Sequence, residues 1–313
     1  MKVYTKDERS SKSREMVIEL LVTDQPKKEI CHDPDSHFWQ MADKVNVKKS
    51  RFDKRNPETI PEADNSHVAM SVNLDACINC NLCVRACREV QVNDVIGMGN
   101  RGHTSQVIFD FNDPMGDSTC VSCGECVQAC PTGALMESNL LDEKGKKVVK
   151  PDRKVDSLCP YCGVGCQLTY NIKGEKIVSV DGRDGPANNN RLCVKGRFGF
   201  DYIHNPERLT KPLIRKDGIP KDPKERIDPL NPLSHFREAT WDEALDLAAS
   251  KLLKIRDSKN GKKALAGFGC AKGSNEEAYL FQKLVRTGFH NNNVDHCTRT
   301  VSYTHLTLPT KLS

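Results

Sequence analysis

The sequence predicts an α+β multi-domain chain: a compact domain with an internal repeat, a small mostly-β domain, and the opening of an α/β domain. Three observations carry this. Cys77-x-x-Cys80-x-x-Cys83-x-x-x-Cys87 recurs with the same spacing as Cys120-x-x-Cys123-x-x-Cys126-x-x-x-Cys130. A third group, Cys159-x-x-Cys162-x-x-x-Cys166 with Cys193 after 26 residues, frames two runs that read as strands. Beyond it, Thr240-x-x-Glu243 and Ser274-x-x-Glu277 are capping boxes on either side of a short apolar run, the pattern of helix, strand and helix.

The three groups hold twelve of the fifteen cysteines. A four-iron, four-sulfide cube takes one thiolate per iron. Three closely spaced cysteines wrap three corners, and the fourth ligand arrives from elsewhere. In two-cluster arrangements the fourth cysteine of each run crosses to the other cube. The spacing therefore predicts three 4Fe-4S clusters. Cys77, Cys80, Cys83 and Cys130 hold the first, and Cys87, Cys120, Cys123 and Cys126 the second. Cys159, Cys162, Cys166 and Cys193 hold a local third. Zinc also accepts four thiolates, but zinc ribbons rarely carry a third cysteine in each run, and Pro131 directly follows Cys130. Disulfides fit less well, since no secretion signal precedes these crowded pairs.

Composition agrees. The chain has 313 residues, enough for two or three domains, with 37% hydrophobic and 6% aromatic residues. Metal-built domains suit so modest an apolar content, because ligation replaces part of a core. The net charge of +5 is explained by lysines and arginines offsetting anionic clusters and calls for no nucleic acid. No apolar run approaches the ~18 residues that span a bilayer. With no export signal at Met1, the expected location is cytoplasmic.

In order, helices are expected at Ser13–Thr23 and Ser36–Val45, with Cys31, His32 and His37 beside them in ordinary surface or capping roles. Lys48–Ser66 reads as a charged connector. A strand at His67–Val72 leads into the first cysteine loop, and Leu82–Val90 forms a short helix carrying Cys87. Asp94–Phe111 reads as a hairpin turning at Gly99–Gly102. The second loop and its helix close the repeat near residue 138. Glu143–Lys154 is a Lys-rich linker. Strands are expected at Gln167–Ile172 and Lys176–Asp181 around Lys173-Gly174, with Gly163 and Gly165 letting backbone approach a cube. Pro212–Pro232 reads as a connector. A helix from Thr240 to Leu253, a strand at Lys263–Gly269 and a helix from Ser274 to Phe289 follow. A phosphate could sit at the last helix's N-terminus, although a plain βα turn is the simpler explanation of Gly269 and Gly273.

Leu158-Cys-Pro-Tyr-Cys-Gly-Val-Gly-Cys166 and Leu192-Cys-Val-Lys-Gly-Arg197 resemble the iron–sulfur domain of molybdopterin oxidoreductases. Thr240-Trp-Asp-Glu-Ala-Leu245 is similar to the helix opening their large domain. Gly273-Ser-Asn-Glu-Glu277 and Asn293-Val-Asp-His-Cys-Thr-Arg299 resemble formate dehydrogenase alpha subunits, and the repeat resembles their double ferredoxin arm. The resemblance covers roughly residues 14–299. It implies a ferredoxin-like double-cluster domain at 66–142, a 4Fe-4S domain at 152–212 and the start of a molybdopterin-binding domain at 213–299, after a helical remnant and linker at 1–65. It implies a molybdenum or tungsten ion held by two molybdopterin guanine dinucleotides, with Lys195, Gly273, Asn275, Cys297 and Arg299 as pterin contacts and Lys195 as electron relay. Formate would be the substrate, and electrons would pass through the clusters to a partner: an NAD/flavin subunit, a ferredoxin or a hydrogenase-type subunit.

The departures from that family are specific. Its metal-ligating cysteine or selenocysteine falls at the position of Val301, and Ser302 stands where a histidine should follow. Residues 300–313 resemble translated sequencing-adapter sequence and are expected to be non-native, so this chain alone should not oxidise formate. Val17–Pro26 is similar to the segment before the histidine-and-cysteine cluster of the complex I large subunit. Gln25 and Phe38 replace its ligands, so that cluster is expected to be absent, and relatives with an upstream two-iron domain suggest that Met1 is internal. Asn190 replaces a usual glycine. The alternatives are a complex I-like electron-wire subunit without molybdenum, or another molybdopterin oxidoreductase such as nitrate reductase.

Overall fold

A computed structural model describes residues 2–54, 61–222, 224–270 and 272–296. The chain forms two compact units, Met1–Cys159 with Cys166–Phe200, and Pro160–Gly165 with Asp201–Ser313.

The first unit begins with α1 (Glu8–Thr23) and α2 (His37–Lys44). α1 starts five residues before the expected Ser13. The Asp7 carboxylate caps it by accepting from the Ser10 amide, a polar signal that apolar periodicity does not see. Ser36 caps α2 by accepting from the Trp39 amide. Val22, Cys31, Phe38, Trp39 and Ala42 form a small core here, joined by Ile78 from the first cysteine loop. Residues 1–65, expected as a remnant plus linker, thus share a compact unit with the cysteine loops. Gln25 Nε2 donates to Ala76 O, and the Phe38 amide donates to Pro131 O.

The repeat follows. β1 (Met70–Val72) is shorter than expected, because the His67 ring accepts from the Ala69 and Met70 amides and turns the chain there. α3 (Leu82–Arg85) runs into a π-helical turn at Ala86–Val90. β2 (Ile96–Gly99) pairs antiparallel with β3 (Gln106–Phe109). The expected four-residue turn is instead a longer loop: Asn100 is left-handed and a 3-10 turn fills Gly102–Thr104. α4 (Glu125–Ala129) carries Cys126, and β4 (Leu135–Glu137) closes the repeat by pairing antiparallel with β1. Met70, Val72, Ile96, Val107, Phe109 and Leu135 pack with Cys83, Cys87 and Cys126 in one core.

The expected Lys-rich linker folds back onto the loop between α1 and α2. The Lys147 amide donates to His32 O, and Lys147 and Lys150 pair with Asp33 and Asp35. β5 (Arg153–Leu158) carries no strand signal in the sequence, because its side chains are almost all exposed and it has no buried face. It pairs with β6 (Gln167–Lys173), which pairs with β7 (Lys176–Gly182), both antiparallel. Leu168, Val180 and Leu192 are the core beneath. α5 (Val194–Phe198) ends the unit.

In the second unit, β8 (Leu213–Arg215) pairs with β9 (Phe236–Glu238) across the expected connector. α6 (Trp241–Arg256) is capped by Thr240, which accepts from the Glu243 amide. The reciprocal half of that box is replaced, because Glu243 pairs with Arg237. β10 (Gly267–Gly269) starts later than expected, after a 3-10 turn at Gly261–Lys263. α7 (Asn275–Lys283) has the full capping box of Ser274 and Glu277 and continues as a π-turn at Leu284–Gly288. β11 (Val294–His296) lies parallel to β10, completing a βαβ unit.

Candidate metal centre

The two loops of the repeat share one backbone design. Asn79 and Asn81 are left-handed in the first, and Ser122 and Gly124 at the matching places in the second. Each kink turns an amide onto the loop's first sulfur: Asn79 N donates to Cys77 Sγ (3.4 Å) and Ser122 N to Cys120 Sγ (3.3 Å). Val95 N donates to Cys87 Sγ (3.4 Å). Such bonds stabilise a thiolate and tune whatever it ligates.

Cys77, Cys80, Cys83 and Cys130 line one small cavity, closed by Leu74, Val107 and Leu135 among others. Cys130 reaches it from the far end of the second repeat. Burial first, then the charges of Cys130, Cys77 and Cys80, push the Cys83 thiol up to about 12. Cys126 is raised well above the ordinary thiol value by burial, followed by Cys123, Cys120, Cys83 and Cys87. Burial likewise raises Cys120 and Cys123, with the Cys87 charge adding to both. The fold thus brings Cys130 to the sulfurs of the first loop, and Cys87 lies near enough to Cys120, Cys123 and Cys126 for its charge to raise their thiols. Sulfurs this crowded and buried are costly as bare thiolates, and a bound iron core of opposite charge offsets that cost. The donor set and cavity therefore fit a four-iron cluster. Among the described residues, no three His, Cys, Asp or Glu side chains close on a single metal ion.

In the third group, Cys159 N donates to Cys166 O (2.9 Å), and both thiols pack on the core of Leu168, Val180 and Leu192. Cys193 is the N-cap of α5. A Cβ added to Gly196 would stand 3.6 Å from Cys159 Sγ, so α5, the helix that Cys193 opens, packs beside Cys159. Cys162 is exposed and lies in Pro160–Gly165, within the second unit. Lys195 is exposed on α5, two residues after Cys193.

Arg197 was no more than a motif letter in the sequence, yet its side chain is only 1% exposed. Nε donates to Cys123 O (2.9 Å), Nη1 to Gln128 Oε1 (2.8 Å) and Val180 O (3.2 Å), and Nη2 to Glu125 Oε2 (3.1 Å). Gly124 makes room: a Cβ there would fall 2.1 Å from Arg197 Cδ. The mismatch between Asn81 and Gly124 in the repeat was the one available signal.

Near the N-terminus, Cys31 is a core residue, its thiol raised to about 11 by burial and then by Asp33. Its Sγ donates to Lys28 O, while the His32 ring bonds to Gly145 O and Asn73.

In the second unit, Gly273 lines a cavity at the carboxyl ends of β10 and β11, and Asn275 is the first residue of α7. The Glu277 carboxylate accepts from Ser274 N (2.6 Å) and stands over this helix N-terminus. With Glu277, Asp295 and His296 as its charged lining, the turn does not by itself form an anion site. Cys297, Arg299 and Val301 lie outside the described residues. No helix among the described residues is long and apolar enough to cross a membrane.

Residues 152–205 match the molybdopterin oxidoreductase Fe4S4 domain, 76–134 the 4Fe-4S dicluster domain, and 208–310 the molybdopterin oxidoreductase family. The last match enters the segment 300–313. A "Putative formate dehydrogenase" of Staphylococcus haemolyticus (strain JCSC1435) is 36% identical over 262 residues, 72% of this chain and 25% of that protein. The "Probable oxidoreductase YjgC" of Bacillus subtilis (strain 168) is 35% identical over 288 residues, 79% of this chain and 28% of that protein. The chain thus spans about a quarter of the length of these relatives. A solved NAD+-reducing nickel–iron hydrogenase in its H2-reduced state overlaps 42% of this chain and 57% of its own at a TM-score of 0.37 and 24% identity, too low to bear on the fold. With a dicluster domain followed by the Fe4S4 and molybdopterin domains in series, the chain belongs to the molybdopterin oxidoreductase family.

Proposed function

We propose that this chain is the iron–sulfur electron-transfer portion of a molybdenum- or tungsten-dependent formate dehydrogenase. The observation that supports it most is the cavity ringed by Cys77, Cys80, Cys83 and Cys130, whose fourth sulfur comes from the opposite repeat. The relatives whose names include formate dehydrogenase supply the substrate of the reading. When bound, 4Fe-4S clusters supply one-electron transfer, and a metal on two pterin guanine dinucleotides supplies the two-electron oxidation of formate to carbon dioxide.

The chain's own residues divide the work. Three sets hold the clusters: Cys77, Cys80, Cys83 and Cys130; Cys87, Cys120, Cys123 and Cys126; and Cys159, Cys162, Cys166 and Cys193. The Asn79, Ser122 and Val95 amides stabilise charge on the sulfurs they meet. In this reading Lys195, exposed on α5, is the electron relay and a pterin contact, and Gly273, Asn275, Cys297 and Arg299 are the further pterin contacts that the family resemblance implies. Electrons leave to a partner subunit. The test is anaerobic reconstitution with iron and sulfide: about twelve irons per chain and a low-temperature paramagnetic signal on reduction are expected. Stoichiometric zinc in place of iron, with no such signal, would overturn the reading.

A further inference from the structure

Resting on that cluster reading, we propose that Arg197 is a positioning residue. It pins the ligand-bearing helix of the third cysteine group to the Cys123 loop, and its charge raises the reduction potential of the centre held by Cys87, Cys120, Cys123 and Cys126.

Four hydrogen bonds hold the guanidinium. Arg197 N donates to Cys193 O (3.1 Å) as α5 begins, and Arg197 Nε donates to Cys123 O (2.9 Å). From the backbone of Cys193 to that of Cys123, the path is covalent except for one hydrogen bond. The other guanidinium nitrogens are fixed by Gln128, Val180 O and Glu125. Gln128 is itself held, donating to Asn190 O and accepting from Gly182 N. The Cβ-less Gly124 lets the arginine stem lie on the loop, whereas Asn81, at the matching place in the first loop, is exposed. A fixed cation in a poorly screened site favours the reduced, more negative state of a thiolate-bound centre. Glu125, 10% exposed and paired with it, opposes that effect, so removing either charge shifts the potential in opposite directions.

The experiment is a redox titration followed by paramagnetic resonance on the full chain, reconstituted anaerobically. The signal of the second centre is assigned with Cys123→Ser. Arg197→Met is expected to move that centre alone to more negative potential, Glu125→Gln to move it to more positive potential, and Arg197→Lys to recover part of the wild-type value. Unchanged potentials in both Arg197→Met and Glu125→Gln, or equal shifts in both centres of the repeat, would overturn the proposal. If Arg197→Met does not hold iron, the sign of the Glu125→Gln shift decides. Wild-type chain that binds no iron would instead defeat the cluster reading itself.

Discussion

The two cysteine loops of the repeat have matching left-handed positions and the same amide-to-sulfur bond, yet they sit in different surroundings. The first meets the N-terminal helices through Ile78, an apolar contact. The second meets a buried arginine through Gly124 and the Cys123 carbonyl. Cys80 is exposed, whereas its counterpart Cys123 is half-buried. Ligand spacing fixes the geometry of a loop. The neighbours that pack on it decide how much water and charge its centre sees, and so how two similar centres could come to differ in potential.

The most severe break of this symmetry is Cys130→Ser. It should cost about four irons from the first loop's centre while leaving the second loop's own three cysteines occupied, although Cys130 lies in the second repeat. Iron and sulfide analysis with paramagnetic resonance checks it, and loss from the second centre alone would disprove the crossing. Next is the pair Gly124→Ala and Asn81→Ala. The first adds a Cβ at a left-handed position and into the Arg197 stem, with an expected loss of about 3 kcal/mol. The second keeps a side chain where one already stands, and should cost about 1 kcal/mol. Thermal melting of the two variants side by side measures the difference.

A pH profile sharpens the contrast further. Glu137, on β4 after the second loop, is 7% exposed. Burial pushes its carboxyl from 4.5 up to about 7, with Arg197 pulling the other way. The folded state therefore holds this proton more tightly than the unfolded chain. Stability should be greatest below the unfolded value and fall as pH rises from 4.5 toward 7, by at most roughly 3 kcal/mol. Glu137→Gln should flatten that slope in denaturant titrations at pH 5 and pH 8. The smallest effect is expected on the first loop's helix. The exposed Arg85–Glu89 pair should contribute only about 0.3 kcal/mol, so Arg85→Ala should barely move the melting point.

Much of this was legible because metal ligands and capping residues write themselves into short, rigid spacings. The cysteine runs indicated the repeat, and Ser36 and Ser274 marked helix starts that the structure keeps. What stayed hidden depends on distant partners. β5 has no buried face of its own and exists because β6 lies beside it. The lysines at 147 and 150 read as linker because Asp33 and Asp35, their partners, are more than a hundred residues earlier. Arg197 looked like any surface cation, since burial of a charge is decided by acceptors that no local window contains. Glu243 illustrates the reverse case: its spacing promised a reciprocal cap, but Arg237 offers a charged partner that outcompetes a single amide.

Ile78 stands between the first two cysteines and packs against the buried cluster of Val22, Cys31, Phe38, Trp39 and Ala42. Anyone dissecting this protein at residue 66, where the connector suggests a convenient cut, would strip the roof from that loop. The excised piece would present the Ile78 side chain to water and the two flanking sulfurs to dissolved oxygen. Shorter expression boundaries should therefore begin ahead of Asp7, not after the connector.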